Sequence, residues 1–150
     1  MEQTGQAGRN ILAVVSGVVA GFVLILIVEG IGHLLYPPPE GLDYGDMEAV
    51  RAMTANLPAG ALLMVAVAWA VGAFGGGWLA ARIAKRSGTV HALIVGAVIE
   101  LGAIANLLML PHPVWFWVVG IVAILPAAYA GSRMASSPGS QRPRGGTLST

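Results

Sequence analysis

The chain has 150 residues, of which 56% are hydrophobic and only 10% are charged, and its formal net charge is +1. A chain of this composition lacks the polar surface that would coat a water-soluble sphere. Its eight lysines and arginines are scattered and form no basic stripe with interleaved aromatic residues, which argues against a nucleic-acid partner. It has no cysteine, which excludes disulfide bonds and thiolate chemistry.

Four apolar segments are long enough to span a bilayer, which takes about 20 helical residues. They cover residues 11–36, 59–84, 90–110 and 114–134. Helices satisfy their own backbone hydrogen bonds in lipid, so the predicted fold is all-α, an integral membrane four-helix bundle over residues 11–135. Residues 1–10 are polar and are expected to form a mobile cytoplasmic tail. Residues 136–150 are rich in Ser, Pro, Gly and Arg, which predicts a disordered or partner-bound tail.

The first two segments carry small residues at helical spacing. Gly17 and Gly21 lie on one face of the first segment, where another backbone can approach closely. Gly72 and Gly76 lie on a small face of the second segment, beside a longer face of alanines. The first segment is longer than a signal-peptide core and ends without a small-residue cleavage site, so we expect it to remain as a membrane anchor.

An acidic stretch separates the first two segments. Three prolines at residues 37–39 end the first helix, because proline lacks a donor and restricts the residue before it. The acidic outer loop that follows contains Asp43, Asp46 and Glu48. Asp46 is placed to cap a short amphipathic helix, with the apolar positions Met47, Val50, Met53 and Leu57. We expect this interfacial helix to lie on the membrane surface as a solvated connector, with an acidic cation or partner site as the alternative.

The distribution of basic residues predicts the orientation in the membrane. Arg82, Lys85, Arg86 and Arg133 fall on one side of a four-helix topology, as cytoplasmic anchors. Because cytoplasmic loops are enriched in lysine and arginine, both termini are predicted to be cytoplasmic. Interfacial aromatic residues are expected toward the opposite side, where the amphipathic rings of tyrosine and tryptophan favour the boundary with water. They are Tyr36, Trp115, Phe116 and Trp117.

Four polar side chains interrupt the apolar segments and form a predicted intramembrane cluster. They are Glu29, His33, Glu100 and Asn106. Glu29 and His33 are one helical turn apart and can interact within the helix. Asn106 lies about a third of a turn around its helix from Glu100, so the two cannot point at the same neighbour. His91 and His112 are expected to be ordinary interfacial side chains.

Three hypotheses account for this cluster. The polar groups can fix one helix against another by hydrogen bonds worth about 1 kcal/mol each. They can form a path for protons or cations, for which intramembrane Glu and His are the usual groups. They can also ligate a metal or cofactor, but the sequence does not display the further ligand and supporting residues that such a site needs. We therefore expect no metal site and no cofactor.

Several stretches give the chain a resemblance to known proteins. The stretch from Glu29 to Pro39 (EGIGHLLYPPP), the stretch from Asn56 to Leu63 (NLPAGALL) and the stretch from Pro111 to Phe116 (PHPVWF) resemble a family of small four-helix bacterial inner-membrane proteins. The resemblance covers about residues 11–135. It implies a bacterial inner membrane and a four-helix bundle, and it implies no activity and no functional residue.

No sequence motif of a catalytic site is present, so an enzyme is not expected. The glycines at residues 75–77 lie inside a predicted helix and do not follow a strand, so they cannot cradle a phosphate. The first functional hypothesis is an accessory or scaffold subunit in the lipid bilayer, bound to other membrane-protein subunits or to itself. The alternative is a small oligomeric transporter or channel for protons, cations or a small solute, which uses the intramembrane Glu and His.

Overall fold

The computed structural model describes residues 2–84 and 86–136, and within them it contains five helices. They are α1 (Glu2–Leu35), α2 (Met47–Ala55), α3 (Ala59–Ala84), α4 (Gly88–Met109) and α5 (Val114–Ser136). All but α2 are long and apolar enough to cross a membrane. The predicted all-α class, the four long apolar segments and the short helix between the first two are confirmed.

The largest difference from the predicted bounds is at the start of α1. Residues 2–10, predicted to be a mobile tail, continue the helix. Its 34 residues extend about 51 Å at about 1.5 Å per residue, which exceeds a hydrocarbon core of about 30 Å. At the other terminus, α5 continues to Ser136, and residues 137–150 of the predicted tail lie outside the described residues. Lys85 also lies outside them.

The central helix of the bundle is α3. It packs against α1, α4 and α5, while α4 also contacts both α1 and α5. In the most apolar window of each helix, 44% of the α3 residues are buried against 22% of those in α1. Over residues 6–35 of α1, the buried residues form one narrow stripe, Ala13, Gly17, Gly21 and Ile25. Between Ile11 and Leu35, most of the other positions present large apolar side chains, which suit a lipid surface.

Glycines bring the backbones of α1 and α3 into direct contact. A Cβ atom built on Gly17 would lie 2.7 Å from the carbonyl oxygen of Gly76, and one built on Gly72 would lie 2.7 Å from that of Gly21. No side chain larger than hydrogen fits at such distances, since the neighbouring atoms are backbone. The close approach predicted for Gly17 and Gly21 is confirmed, and we call these four glycines the glycine seam.

The two ends of the bundle differ in character. At one end, the Nε–H of Arg51 on α2 donates to the carbonyl oxygen of Met109 at 3.1 Å, so α2 lies beside the end of α4. At the opposite end lie Arg82, Arg86 and Arg133, all exposed. We call these the α2 end and the basic end. The segment after the three prolines therefore lies at the opposite end from Arg82 and Arg86, as the charge distribution predicts.

Candidate solute-binding cavity

A cavity of about 220 Å³ lies at the α2 end of the bundle. It is bordered by α1, α2, α3, the last turn of α4 and the turn that leads to α5. Six polar side chains line it: Glu29, His33, Tyr36, Thr54, Asn106 and His112. Apolar side chains complete the walls, among them Leu62 and Val65 of α3. We call it the α2 cavity.

The cavity exists because α1 and α3 separate beyond the glycine seam. A Cβ atom built on Gly32 would meet only the Cβ atom of Met64, at an ordinary contact distance of 3.5 Å. The short helix α2 then covers the gap. Its apolar positions Val50 and Met53 line the cavity, as does Leu57 just after the helix. The spacing that predicts an amphipathic α2 therefore reflects contact with the cavity.

The α1 wall supplies three of the polar groups. Glu29 is half-buried and His33, one turn later, is exposed and interacts electrostatically with the Glu29 carboxylate. Tyr36 follows on the same side, and its ring lies directly over Gly60 at the start of α3. A Cβ atom on Gly60 would collide with the Tyr36 hydroxyl. Gly60 therefore provides the space that lets the Tyr36 ring form part of the wall.

Asn106 and Glu100 of α4 are directed to different neighbours. Asn106 lies two turns after Ile99, whose side chain reaches Gly21 of α1, and it lines the cavity. Glu100 lies one turn after Gly96, which faces α5, and it does not line the cavity. The predicted cluster is therefore divided, with three members at the cavity and Glu100 apart from them.

Glu100 has one buried oxygen without a partner. Its Oε2 atom makes no hydrogen bond within the described part of the chain, although the residue as a whole is half-buried. A buried carboxylate oxygen left without a donor is costly in a low-dielectric setting. A donor from outside these residues, a proton or a second chain, would remove that cost.

His112 lines the cavity, although it was expected to be an ordinary interfacial side chain. Its Nδ1 lies 3.0 Å from the carbonyl oxygen of Leu110, and its ring stacks on Phe116 with the centroids 4.9 Å apart. Because a carbonyl oxygen can only accept, Nδ1 carries the proton, and in the neutral ring Nε2 is an acceptor. Burial lowers the pKa of His112 from 6.5, partly opposed by the bond to Leu110. The sequence gives no signal for this, since only the fold brings the turn to α1.

Two carboxylates of the predicted acidic loop accept hydrogen bonds from backbone N–H groups nearby in the chain. Asp43 Oδ1 accepts a hydrogen bond from the N–H of Gly45 at 2.8 Å. Asp46 caps α2, with its Oδ1 accepting from the N–H of Glu48 at 2.9 Å and from that of Ala49 at 3.3 Å. Glu48 is exposed in the first turn of α2. Asp43 and Asp46 therefore stabilise the turn and the helix that cover the cavity.

The predicted interfacial aromatic residues occupy different environments. Phe116 is 0% exposed and packs against Trp69 of α3, with ring centroids 5.5 Å apart. The side chain of Phe116 therefore faces α3, and its position at the membrane interface stays a prediction. Trp115 is exposed, and Trp117 is partly buried against the core.

At the basic end, the predicted anchors lie at the ends of α3 and α5. The guanidinium of Arg82 lies 5.1 Å from the centre of the Trp78 ring, a cation–π contact. Arg86 follows α3, and Arg133 is in the last turn of α5. Lys85, the fourth predicted anchor, is outside the described residues.

The fold defines a class, a multi-pass membrane protein whose long apolar helices contact lipid. Comparison with protein-family models, with curated proteins and with solved structures finds no match to this chain. Over residues 2–84 and 86–136, no group of three or more His, Asp or Glu side chains is arranged to hold a metal ion. The candidate functional site in the described residues is therefore the α2 cavity with its polar side chains.

Proposed function

We propose that the protein is a small non-enzymatic membrane transporter and that the α2 cavity is its binding site for a proton, a cation or a small solute. The observation that carries the proposal is that Glu29, His33 and Asn106 line one cavity inside a single bundle. Ionisable and polar groups inside a membrane protein are rare, and they characteristically line such pathways. A cavity with polar groups set in mostly apolar walls is also the usual form of a small-molecule site.

The glycine seam determines from which end of the bundle a solute can enter the cavity. On the basic side of the cavity, α1 and α3 are in backbone contact, which leaves no space for a solute between them. The cavity is therefore reached from the α2 end. With cytoplasmic arginines, as charge distribution favours, the α2 end faces the outside of a bacterial inner membrane and both termini are cytoplasmic. This conformation corresponds to an outward-facing state, and passage requires α1 and α3 to part along the seam.

Flux through proteoliposomes tests the proposal. The reconstituted protein should dissipate an imposed pH gradient, measured with a pH-sensitive dye inside the vesicles. Glu29→Gln keeps the size of the side chain and removes its charge, so it should reduce the rate to that of empty vesicles. Glu48→Gln, at an exposed position of α2 outside the cavity, is the matched control and should keep the native rate. Equal rates for both variants and the native protein would contradict the proposal.

A second function is favoured by Glu100. Its Oε2 is buried and has no partner in the described residues, and the residue lies away from the α2 cavity. A donor from a neighbouring membrane protein or from a second copy would satisfy it, which suits an accessory or scaffold subunit. Under this hypothesis, Glu100→Leu should lower the assembled fraction in native mass spectrometry. Glu29→Gln should leave that fraction unchanged.

The two functions have different signatures in the same pair of variants. A transporter predicts that Glu29→Gln loses flux and keeps its assembly. A scaffold predicts that the flux is absent from the native protein and that Glu100→Leu releases the partner. An effect of Glu100→Leu on assembly together with an effect of Glu29→Gln on flux would indicate an oligomeric transporter.

A further inference from the structure

We propose that the α2 cavity binds a small organic ammonium ion, an amine with a short apolar body. This inference rests on the proposed function, because it names the class of solute for the same cavity. It follows from three features of the lining: its formal charge, the balance of hydrogen-bond donors and acceptors, and the size and polarity of the space.

The first feature is charge. Glu29 is the one acidic residue in the lining, and no lysine or arginine lines the cavity within the described part of the chain. The nearby Arg51 donates its Nε–H to the carbonyl oxygen of Met109. An intramembrane carboxylate without a basic partner is unfavourable unless it is protonated or paired. His33 is the one basic side chain of the lining near this carboxylate, and it is exposed. A bound ammonium ion places a permanent positive charge beside Glu29, which no lysine or arginine of the lining does.

The second feature is the excess of hydrogen-bond acceptors. The Thr54 hydroxyl donates to the carbonyl oxygen of Val50 at 2.8 Å, and His112 Nδ1–H donates to that of Leu110 at 3.0 Å. Both donors are therefore already used, which leaves Thr54 Oγ1 and His112 Nε2 as acceptors. Burial lowers the pKa of His112, which favours the neutral ring. An ammonium group, which has donors and no acceptor, matches this lining.

The three prolines that line the cavity add to the excess of hydrogen-bond acceptors. Residues 37–39 line the cavity, and proline has a carbonyl oxygen but no N–H. The backbone of this wall therefore offers acceptors and no donors. His33, Tyr36 and Asn106 are the lining side chains whose donors make no hydrogen bond within the described residues, and the tyrosine hydroxyl and the asparagine amide can also accept. An anion would meet the Glu29 carboxylate and few donors, so the lining selects against it.

The third feature is size. The cavity of about 220 Å³ is far larger than the space for one water, roughly 15 Å³ by a comparable measure. Apolar side chains from α2, α3 and the turn between them, among them Met53, Leu57 and Leu62, form much of its wall. A bare metal ion would leave this apolar surface unused. An alkyl chain of a few carbons on the ammonium nitrogen would fill it.

Three probes of equal length separate the possible ligands. The full-length protein, in nanodiscs of phosphatidylglycerol, is titrated with n-butylammonium, n-butanol and butyrate, and binding is followed by calorimetry and by the side-chain amide NMR signal of Asn106. We expect butylammonium to bind about tenfold more tightly than butanol, because a charge-assisted hydrogen bond is the stronger one. Butyrate should not bind. The preference should disappear in Glu29→Gln and persist in Glu29→Asp and in the control Glu48→Gln, which lies outside the cavity.

The outcomes separate this inference from the function on which it rests. Equal affinities for butylammonium and butanol, or preference for butyrate, would overturn the ammonium class and leave a solute site in place. No binding of any probe, with no change of the Asn106 signal, would overturn the inference, and the function would fall if Glu29→Gln also kept the native flux. A repeat in nanodiscs containing phosphatidylethanolamine identifies the source of the ammonium. A weaker apparent affinity there would show that a lipid headgroup occupies the cavity, and an unchanged affinity would indicate a soluble amine.

Discussion

The helices α1 and α3 are packed in two different ways along one interface. Toward the basic end, glycine faces glycine, and the carbonyl oxygen of Gly76 is 2.7 Å from where a Cβ atom of Gly17 would be. Toward the α2 end, Gly32 faces Met64, and the nearest contact of such an atom lengthens to 3.5 Å. Here a methionine stands where the seam has a second glycine, and its side chain keeps the two backbones apart. The interface is closed in one half and holds a cavity in the other.

This difference decides where polar groups are tolerated. Glu29 and His33 lie in the open half, where a solute, water or a proton can reach them. In the closed half, the residues facing the seam are small or apolar, such as Ala80 and Val95. Packing holds the bundle together in lipid without help from water exclusion, so the closed half provides stability. The open half can therefore contain the ionisable groups of the cavity, although such groups lower the stability of a membrane protein.

The largest expected effect on stability comes from adding a side chain to the glycine seam between α1 and α3. Gly76→Ala places a methyl group against the carbonyl oxygen of Gly17, and backbone atoms cannot move aside as a side chain can. We expect the free energy of unfolding to fall by about 1–3 kcal/mol, the usual range for overpacking. The measurement is reversible unfolding by SDS in mixed micelles.

Gly30→Ala is the matched control for that variant. It adds the same methyl group to a glycine of α1 that has nothing within 4 Å. The free energy of unfolding should change by about 0.5 kcal/mol or less. If Gly76→Ala and Gly30→Ala had the same effect, the seam would not be the tightly packed half.

The second largest effect is expected on the stability of α2, the helix beside the cavity. Asp46→Ala removes the acceptor for the N–H groups of Glu48 and Ala49, and loss of such a cap costs about 1 kcal/mol. Hydrogen exchange of these two amides should accelerate by about fivefold, which corresponds to that energy. Asp43→Ala is the control, because Asp43 binds the N–H of Gly45 before the helix begins. Equal acceleration in both variants would show that α2 does not depend on its cap.

A smaller effect on stability is expected from Gly60→Ala, because the added methyl group meets the end of the Tyr36 side chain. The ring can rotate away, so the free energy of unfolding should fall by less than about 1 kcal/mol. The NMR signals of the Tyr36 ring should shift, since the ring leaves the cavity wall. Tyr36→Phe in the same background removes the hydroxyl and should bring the ring back toward its position. An unshifted ring in Gly60→Ala would contradict the contact.

The features of the fold that depend on one helix at a time could be predicted from the sequence. Apolar length predicts α3 at residues 59–84, and glycine spacing predicts the faces of α1 and α3 that meet. The helical start of α1 at Glu2 was missed, because a polar and glycine-containing composition favours a tail when a helix is judged locally. The burial of Phe116 against α3 could not be predicted, because proximity to Trp115 and Trp117 does not reveal which side of α5 faces the core.

The cavity was only partly predictable for the same reason. Glu29, His33 and Asn106 stand out as polar groups in apolar segments, and the angle between Asn106 and Glu100 predicts that they have different neighbours. His112 and Thr54 do not stand out, since each lies in a polar or interfacial stretch. Their place in the cavity depends on where α2 and the turn after α4 lie beside α1 and α3, which no local pattern specifies.

The smallest expected effect is a pH dependence from the open half. Burial lowers the pKa of His112 below its ordinary value of 6.5, so the folded state takes up this proton at lower pH than the unfolded state does. The resulting stability is fully present above pH 6.5 and is lost as the pH falls through the lower folded pKa. His112→Asn retains a donor for the carbonyl oxygen of Leu110 but does not titrate.

The difference in free energy of unfolding between the native protein and His112→Asn isolates this contribution, because every other titratable group is the same in both proteins. Measured in mixed micelles from about pH 8 to about pH 5, a range that spans histidine titration, the difference should shift against the native protein as the pH falls. A shift in its favour would mean that a negative group stabilises the charged imidazole. In that case His112 Nε2 would be a donor in acid solution, and the acceptor-rich lining of the α2 cavity would hold only above the histidine pKa.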